Sequence, residues 1–467
     1  MKKLILLIIV MVSVTISSFA QEGAAVFENY KYRFQKYRLF NSSFGMGNNN
    51  VLNDYYIPQS SSSSNSASNF SLNGNMQFAQ NINTQKLQQF TSVNGRITFS
   101  SFKSNSPFAT YSNVNGGSFS FGAYQQNRFY RNNHFLELNY DISTGTYICN
   151  SRNNNLPKRI SNINMNVGVN IGAGNGRLEM VGDVAQALFI LKDFKARGII
   201  INYTNEDATA LAKEITRIYN TRIIDFRYRL RGQLGMLDSF FVASGLLNGG
   251  KTQSSYLISL FDNWLNNNYV QRFCGSRFSY GISYDNSYNN DYRYQAIPSN
   301  NYLSVSNKQN YYTPGLYFNY TKERPISLYW QESVSIDLQA GKYLWSNSIT
   351  QIDTNSVKTL NNKSSNSNSR ITAAYKLSWY PNSRTYLNAG VTAALYYTYS
   401  SPSNLNQNQL NLHLMPSANL FYFVSPKVNF HVGISQMLSA NRWFSNKSTQ
   451  VSTNVPSFNA GLNYYIY

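Results

Sequence analysis

The chain ends on the segment Pro456-Ser-Phe-Asn-Ala-Gly-Leu-Asn-Tyr-Tyr-Ile-Tyr467, in which residue types alternate and the final residue is aromatic. Alternation with a period of two is typical of a β-strand with one apolar face. We therefore expect a strand that finishes at Tyr467.

The same period recurs through the residues that precede this segment. From Leu387 to Tyr399 the odd-numbered residues are apolar or aromatic, and most of those between them are small or polar. The links between such stretches alternate in length, with long ones at 286–310, 345–369, 400–409 and 440–455 and short ones at 321–325, 381–383 and 425–427. A soluble sandwich alternates along its strands as well. Only a membrane barrel is expected to alternate tight turns with long loops.

Counting the alternating stretches gives a strand number. Eight lie after residue 270, at 272–285, 311–320, 326–344, 370–380, 385–399, 410–424, 428–439 and 456–467. Six lie before residue 177, near 70–78, 90–103, 107–112, 117–125, 133–149 and 161–172. The sequence thus predicts an all-β transmembrane antiparallel β-barrel of about 14 strands. Twelve is the alternative if 107–112 and a neighbour are loop.

The N-terminus indicates export. Lys2 and Lys3 precede an apolar stretch from Leu4 to Ile16, and Ser18-Phe19-Ala20 matches a signal-peptide cleavage site. Mean hydropathy is only −0.38, yet 15% of residues are aromatic. Strands that face lipid on one side and water on the other average to such values. We expect an outer-membrane protein of a Gram-negative cell, with residues 1–20 cleaved near Ala20.

The organisation of the mature chain follows from these patterns. Residues 21–68 are partly low in complexity and predict an N-terminal tail or a hatch, with an additional strand as the alternative. Residues 69–176 form the first half of the barrel, and residues 267–467 form the second half.

Residues 177–266 have a different texture. Charged residues are denser there, and Val184, Leu188 and Leu191 follow helical spacing. Thr204-Asn-Glu-Asp207 has the N-capping residue and early acids of a helix start. These residues predict a small α-helical insert, either beneath the barrel in the periplasm or folded up into the lumen.

Motifs in this insert carry a resemblance. Gly174-Asn-Gly176-Arg177-Leu178-Glu179, Asn220-Thr-Arg222-Ile-Ile-Asp225 and Leu237-Asp238-Ser239-Phe240 resemble the central segment of an uncharacterised family of Gram-negative outer-membrane β-barrel proteins with a GxGRxE-type helical insert. The resemblance implies the same architecture and no assigned activity. It singles out structural or docking candidates in the insert: Arg177, Glu179, Asp183, Arg222, Asp225 and Asp238.

Chemistry-bearing groups are sparse. Of the three histidines, His413 and His431 face the lumen by alternation but do not come together, so a serine–histidine pair is not indicated. The sequence has no histidine pair at i, i+4 and no cysteine cluster for a metal. We expect no catalytic, metal or cofactor site and no enzyme, with an outer-membrane lipid-modifying enzyme as the less favoured alternative.

The formal net charge is +20. Export argues against a nucleic acid as the partner of these positive charges. The basic residues in predicted loops are candidates for contact with lipopolysaccharide phosphates or for attracting anions to a pore mouth: Arg152, Lys158, Arg159, Arg293, Lys308, Lys358, Lys363, Arg442 and Lys447.

A lumen rich in Ser, Thr, Asn and Gln favours a porin-like or passive channel for small solutes. The alternative is a structural or interaction protein whose periplasmic insert docks a partner protein. Outer-membrane lipids, lipopolysaccharide and the barrel-assembly machinery during insertion are the other expected partners.

Two details test the strand assignment. Strand parity places Cys149 and Cys274 at opposite ends of the barrel, too far apart for a disulfide. In the strand that begins near Ile326, Glu332 falls on the lipid face, where a midplane charge costs a few kcal/mol. We therefore expect either a bulge there or a position of Glu332 at the periplasmic rim.

Overall fold

The computed structural model of the protein describes residues 23–55, 63–105, 112–153, 156–221, 227–248, 254–266, 272–297, 301–354, 356–400, 408–425, 428–444 and 450–464. The strands are β1 (Phe34–Tyr55), β2 (Ser63–Thr84), β3 (Leu87–Asn105), β4 (Ser112–Arg131), β5 (His134–Asn153), β6 (Leu156–Met180), β7 (Phe273–Ile297), β8 (Asn301–Pro325), β9 (Trp330–Asp353), β10 (Val357–Asn382), β11 (Thr385–Ser400), β12 (Asn408–Ser425), β13 (Val428–Phe444) and β14 (Gln450–Tyr464). The helices are α1 (Ala24–Asn29), α2 (Gly182–Ala196), α3 (Asn205–Asn220), α4 (Arg227–Ser244) and α5 (Ser254–Asn266).

All these strands belong to one antiparallel sheet whose spatial order follows the chain. Each strand forms a long ladder with the next, as β5 and β6 do from His134 opposite Asn175 to Asn153 opposite Leu156. Within the described residues no ladder joins β1 to β14, so these two strands are the edges of the sheet. A consecutive antiparallel meander is the topology of an up-and-down barrel. The predicted fold class, a fourteen-stranded antiparallel transmembrane barrel with a small helical insert, is confirmed.

The two faces of the sheet differ in chemistry. On β7, Phe278, Tyr280 and Ile282 are 39%, 56% and 58% exposed, whereas Ser279 and Ser283, which have the opposite parity, are 2% and 6% exposed. The parity continues around the sheet, with exposed apolar residues on one face and Ser, Asn, Gln and Gly dominating the other. We call these the outward and inward faces. An apolar outward face and a polar inward face are what a membrane barrel requires.

The two ends of the sheet also differ. The insert end carries the starts of β1 and β7, the end of β6, and the β2–β3, β4–β5, β8–β9 and β10–β11 turns. The distal end is the opposite one. Strands of 15 to 26 residues exceed the roughly 9–11 that cross a bilayer.

The predicted long links 286–310 and 345–369 are mostly strand, which corrects the sequence interpretation. β7 and β8 continue to Ile297 and from Asn301, and β9 and β10 continue to Asp353 and from Val357. In these extensions most residues on both faces are polar, so the sequence shows no apolar alternation. The strands form there because each backbone pairs with its neighbour, as Asn289 does with Gln309.

The described part of the N-terminal half contains six strands, whose bounds differ from the predicted ones. Residues 21–68, expected as a tail or hatch, contain α1, all of β1 and the start of β2. Of the predicted strand at 107–112, residues 107–111 lie outside the described residues, and Ser112 begins β4. The described residues therefore contain fourteen strands, with β1 as the additional strand that was the alternative for residues 21–68.

Four helices, α2 to α5, occupy most of the predicted insert and share one hydrophobic core with α1. Thr204 caps α3 through a capping box with Asp207, and Gly198 follows α2 with a left-handed φ of 72°. None of the described helices combines the length and the apolar character needed to span a membrane.

The described contacts between the helices and the sheet lie at the insert end. The Asn220 side chain binds the backbone of Phe34 and Lys36 at 2.7 Å each, and Asp262 pairs with Arg384 in the β10–β11 turn at 2.8 Å. Leu328, from the β8–β9 turn, is part of the helical core. The helices therefore lie against the insert end of the sheet.

The positions of Glu332 and of the two cysteines agree with the strand assignment. Glu332 is the third residue of β9 and keeps an unbroken register opposite Leu377 and Arg324, so it lies at the insert end without a bulge. Cys149 lies near the distal end of β5 and Cys274 near the start of β7, as parity predicted, and both are free.

Candidate functional site: the interior and its insert end

Arg177 crosses the interior at the insert end. From the end of β6, its guanidinium donates to the carbonyls of Thr84 and Gln85 at 2.5 and 3.1 Å and to Asn83 Oδ1 at 2.6 Å. It also stacks 4.3 Å from the ring centre of Tyr130. The side chain is nearly buried. Arg177 thus ties β6 to the β2–β3 turn, with which β6 shares no ladder.

Glu179 extends this connection to the N-terminal segment. Its Oε1 accepts from Arg33 Nε and Nη2 at 2.9 and 2.6 Å and lies 3.5 Å from Arg177 Nε. A carboxylate shared between two guanidiniums is a charge-assisted contact, stronger than a neutral hydrogen bond. This cluster joins the end of β6 to the start of β1, which pairs with the end of β2.

Asp183 joins the helices to β1. The carboxyl is 2% exposed and accepts from Tyr37 Oη at 2.6 Å, from Gln35 Nε2 at 3.5 Å and from Thr216 Oγ1. Burial raises its pKa, and the three donors partly oppose that rise. Burial and the neighbouring Asp183 also raise the pKa of Tyr30. Asp183 and its three donors, Tyr37, Gln35 and Thr216, are together called the Asp183 latch below.

Arg272 makes the corresponding contact on the other side of the helices. It donates to the Leu328 and Ser327 carbonyls at 2.7 and 2.9 Å and to Gln331 Oε1 at 2.9 Å. Its guanidinium stacks between Phe27 and Tyr380 at 4.7 and 4.8 Å. Burial lowers the pKa of Arg272 to about 10. Sequence reasoning missed this residue, since a single arginine before a strand gives no signal of its partners.

Further into the interior, Glu137 is the centre of a polar cluster. It pairs with Arg128 Nε at 2.5 Å and accepts from Asn139 Nδ2 at 2.9 Å and from Tyr317 Oη at 3.2 Å. Tyr317 reaches Glu137 over two intervening strands because Gly172 on β6 carries no side chain; a Cβ there would overlap the Tyr317 hydroxyl. The glycine therefore decides which side chains meet across this wall.

Two inward rows towards the distal end, Asp141 on β5 and Asp285 on β7 face each other over Gly168. A Cβ on Gly168 would overlap both carboxylates. Among the described residues no group of three or more metal-ligating side chains exists. The pair makes this part of the wall acidic, whereas Arg128, paired with Glu137, and Arg277 lie nearer the insert end.

The predicted insert candidates have different positions. Arg177, Glu179 and Asp183 all lie in the insert-end network. Asp238 lies apart from it and accepts from Tyr256 Oη at 3.1 Å. Arg222 and Asp225 lie outside the described residues.

The predicted loop candidates lie on strand extensions rather than in loops, except Lys447, which lies outside the described residues. Arg152, Lys158, Arg159 and Arg293 come together at the distal ends of β5, β6 and β7. Arg293 pairs with Asp291 at 2.8 Å. The others are separated from this group: Lys308 on β8, Lys358 and Lys363 on β10, and Arg442 on β13.

The sequence matches no family model and no curated protein. Solved outer-membrane barrels are similar to it at low identity. The ferric yersiniabactin uptake receptor FyuA from Yersinia pestis is 9% identical, with 92% of this chain and 65% of the receptor covered and a TM-score of 0.36. This chain thus spans just under two thirds of that receptor.

Two further barrels are covered almost entirely. The deltaS2 mutant of the TodX monoaromatic hydrocarbon channel is 7% identical, with 96% and 93% covered and a TM-score of 0.34. The transport unit of the Escherichia coli autotransporter AIDA-I is also 7% identical, with 94% and 92% covered and a TM-score of 0.27. The barrel architecture follows from the order and faces of the sheet itself. The resemblance to a GxGRxE-type family stays a prediction.

Proposed function

We propose that the protein is an outer-membrane β-barrel whose interior carries small hydrophilic solutes, with passage restricted at the insert end by the helices. The observation that carries this proposal is the opposition of the two faces of the sheet. An exposed apolar face suits lipid, and an inward face of hydroxyl and amide side chains suits water. Barrels of this kind reside in the outer membrane, and their chains are exported to reach it. The segment from Lys2 to Ala20 has the residue pattern of an export signal.

The insert-end network supports the restriction. Arg177, Glu179 and the Asp183 latch connect strands and helices that lie on different sides of the insert end. An unobstructed pore has no need of a buried network there. Passage of solutes through the interior therefore depends on the position of the helices at the insert end.

Planar-bilayer recording of the purified, refolded protein tests the proposal. We expect discrete conductance steps, and larger steps when residues 182–266 are replaced by a short Gly-Ser linker. Heat-denatured protein is the control for leakage. Absence of conductance steps from both the full-length protein and the linker variant would count against a channel.

A docking role for the insert is the second candidate. Four apolar side chains on α4 and α5 are exposed: Val242 at 46%, Leu257 at 57%, Ile258 at 63% and Phe261 at 42%. Exposed apolar residues on these helices favour a protein partner. This candidate predicts a silent bilayer and one defined crosslinked partner from position 258, lost in Leu257→Glu.

A further inference from the structure

A hollow lies in the inward wall formed by β9 to β12, with a volume of about 260 Å³. It exists because small residues meet there: Gly390 on β11 lies opposite Lys376 on one side and Ser417 on the other. Ala374 is in the next row, opposite Thr392. The volume lies slightly below the ~300–1,000 Å³ of sites for drug-sized ligands. The hollow therefore suits a solute about as large as a monosaccharide.

Hydroxyl and amide groups line this hollow. Its polar lining includes Ser333, Ser335, Asn388, Thr392, Ser417 and Asn419. Each of these side chains both donates and accepts hydrogen bonds. A ligand with several hydroxyl groups could bind them in place of water.

Lys376 supplies the positive charge in the lining of this hollow. It is exposed, and no salt bridge to it is found within the described part of the chain. The nearest acid along its row is Glu323, two strands away, which accepts from Ser333 Oγ and Gln331 Nε2 at 2.7 Å each. The Lys376 ammonium can therefore bind the anionic group of a solute, as lysine does with phosphate.

Aromatic rings border the hollow towards the insert end. Tyr386 and Phe421 stack with ring centres 4.5 Å apart and planes 9° apart, and His431 stacks on Phe421 at 6.0 Å. Tyr386 is two residues before Asn388 on β11, and Phe421 two residues after Asn419 on β12. These rings present an apolar surface beside the polar floor.

We propose that this hollow binds a hydroxylated monosaccharide-sized anion, with Lys376 on its carboxylate or phosphate, the floor on its hydroxyl groups and the Tyr386–Phe421 rings against its apolar side. The proposal rests on the proposed function, since solutes reach this wall through the interior. It names the class of solute that the interior selects.

Titration calorimetry on the refolded full-length protein in detergent tests the site with three probes: glucuronate, glucose 6-phosphate and glucose. We expect saturable binding of at least one anion, with glucose about tenfold weaker, because a hydrogen bond to a charged group contributes that much. The tighter of the two anions identifies the class. Lys376→Met should lower anion affinity to the glucose level, whereas Lys342→Met, on the outward face of β9, should leave it unchanged.

A second pair of variants tests the hollow without changing charge. Ser417→Leu fills it and should abolish binding, and Ala418→Leu, on the outward face of the same strand, should not. Absence of saturable binding, or equal affinity in wild type and Lys376→Met, overturns the site. Conductance without binding leaves the channel intact and removes only this inference; binding with silent bilayers removes only the channel.

Discussion

A buried guanidinium is tolerated only where acceptors replace its lost water. Arg177 meets this requirement with Asn83 Oδ1, two carbonyl oxygens and Glu179. We expect Arg177→Met to lower the free energy of unfolding by roughly 3 kcal/mol, because it leaves buried acceptors without a donor and removes one of the two cations beside Glu179. Urea unfolding of the refolded protein measures this change.

Arg217 provides the matched control for Arg177. It also pairs with a glutamate, Glu214, at 2.6 Å, but its side chain is 59% exposed. Exposed pairs contribute about 1 kcal/mol or less. Equal losses in Arg217→Met and Arg177→Met would show that the contacts of Arg177 across the insert end add nothing.

The Asp183 latch predicts a dependence on pH. Because burial raises the pKa of the folded carboxyl above the unfolded value of 3.8, the folded state holds more protons than the unfolded state between about pH 4 and the folded pKa. Folding stability should therefore fall from about pH 4 up to the folded pKa and then level off. Asp183→Asn should remove this slope in urea unfolding between pH 4 and 7. A slope of the same size in the variant would assign the dependence to another group.

At the scale of elements, close strand packing depends on glycine. A Cβ on Gly172 would overlap the Tyr280 carbonyl and the Tyr317 hydroxyl, whereas a Cβ on Gly95 of β3 has nothing within 4 Å. We expect Gly172→Ala to lower unfolding stability by about 1–3 kcal/mol through strain in β6 and β7. Gly95→Ala should leave it unchanged or slightly higher. If both variants unfold at the same urea concentration, the wall has room at Gly172.

The strands differ in how well the sequence alone predicts them. Strands that cross the apolar belt, such as β11, are readable because burial in lipid imposes alternation on them. The distal parts of β7 to β10 are not, since both faces there are mostly polar and pairing with the neighbouring strand decides the conformation. β1 is harder to predict because Lys36, Arg38 and Ser42 interrupt its outward row of apolar residues.

The insert-end network was predictable only in part. Arg177, Glu179 and Asp183 stood out through a motif, but the hydrogen-bond acceptors of Arg177 lie more than 90 residues earlier in the chain. No local pattern relates a β6 arginine to the β2–β3 turn. Partners of this kind follow from the closing of strands around an interior, and only the assembled sheet reveals them.

At the scale of the whole molecule, the start of β1, the described end of β14 and the five described helices lie at one end of the sheet. A folded helical core with charged surfaces would have to cross the bilayer to reach the other side, at a large cost in desolvated charge. If the protein sits in the outer membrane, the insert end therefore faces the periplasm. The long hairpins at the distal end then face the outside.

Cysteine labelling in cells tests this orientation. In a background with Cys149→Ser and Cys274→Ser, Lys363→Cys on distal β10 and Ile258→Cys on α5 each place one thiol at an exposed position. A polyethylene-glycol maleimide too bulky for the interior should label position 363 in intact cells and position 258 only after the outer membrane is permeabilised. Labelling of position 258 but not of position 363 in intact cells would mean that the insert end faces the outside of the cell. It would also place the Asp183 latch at the outer surface, where external acid would act on it directly.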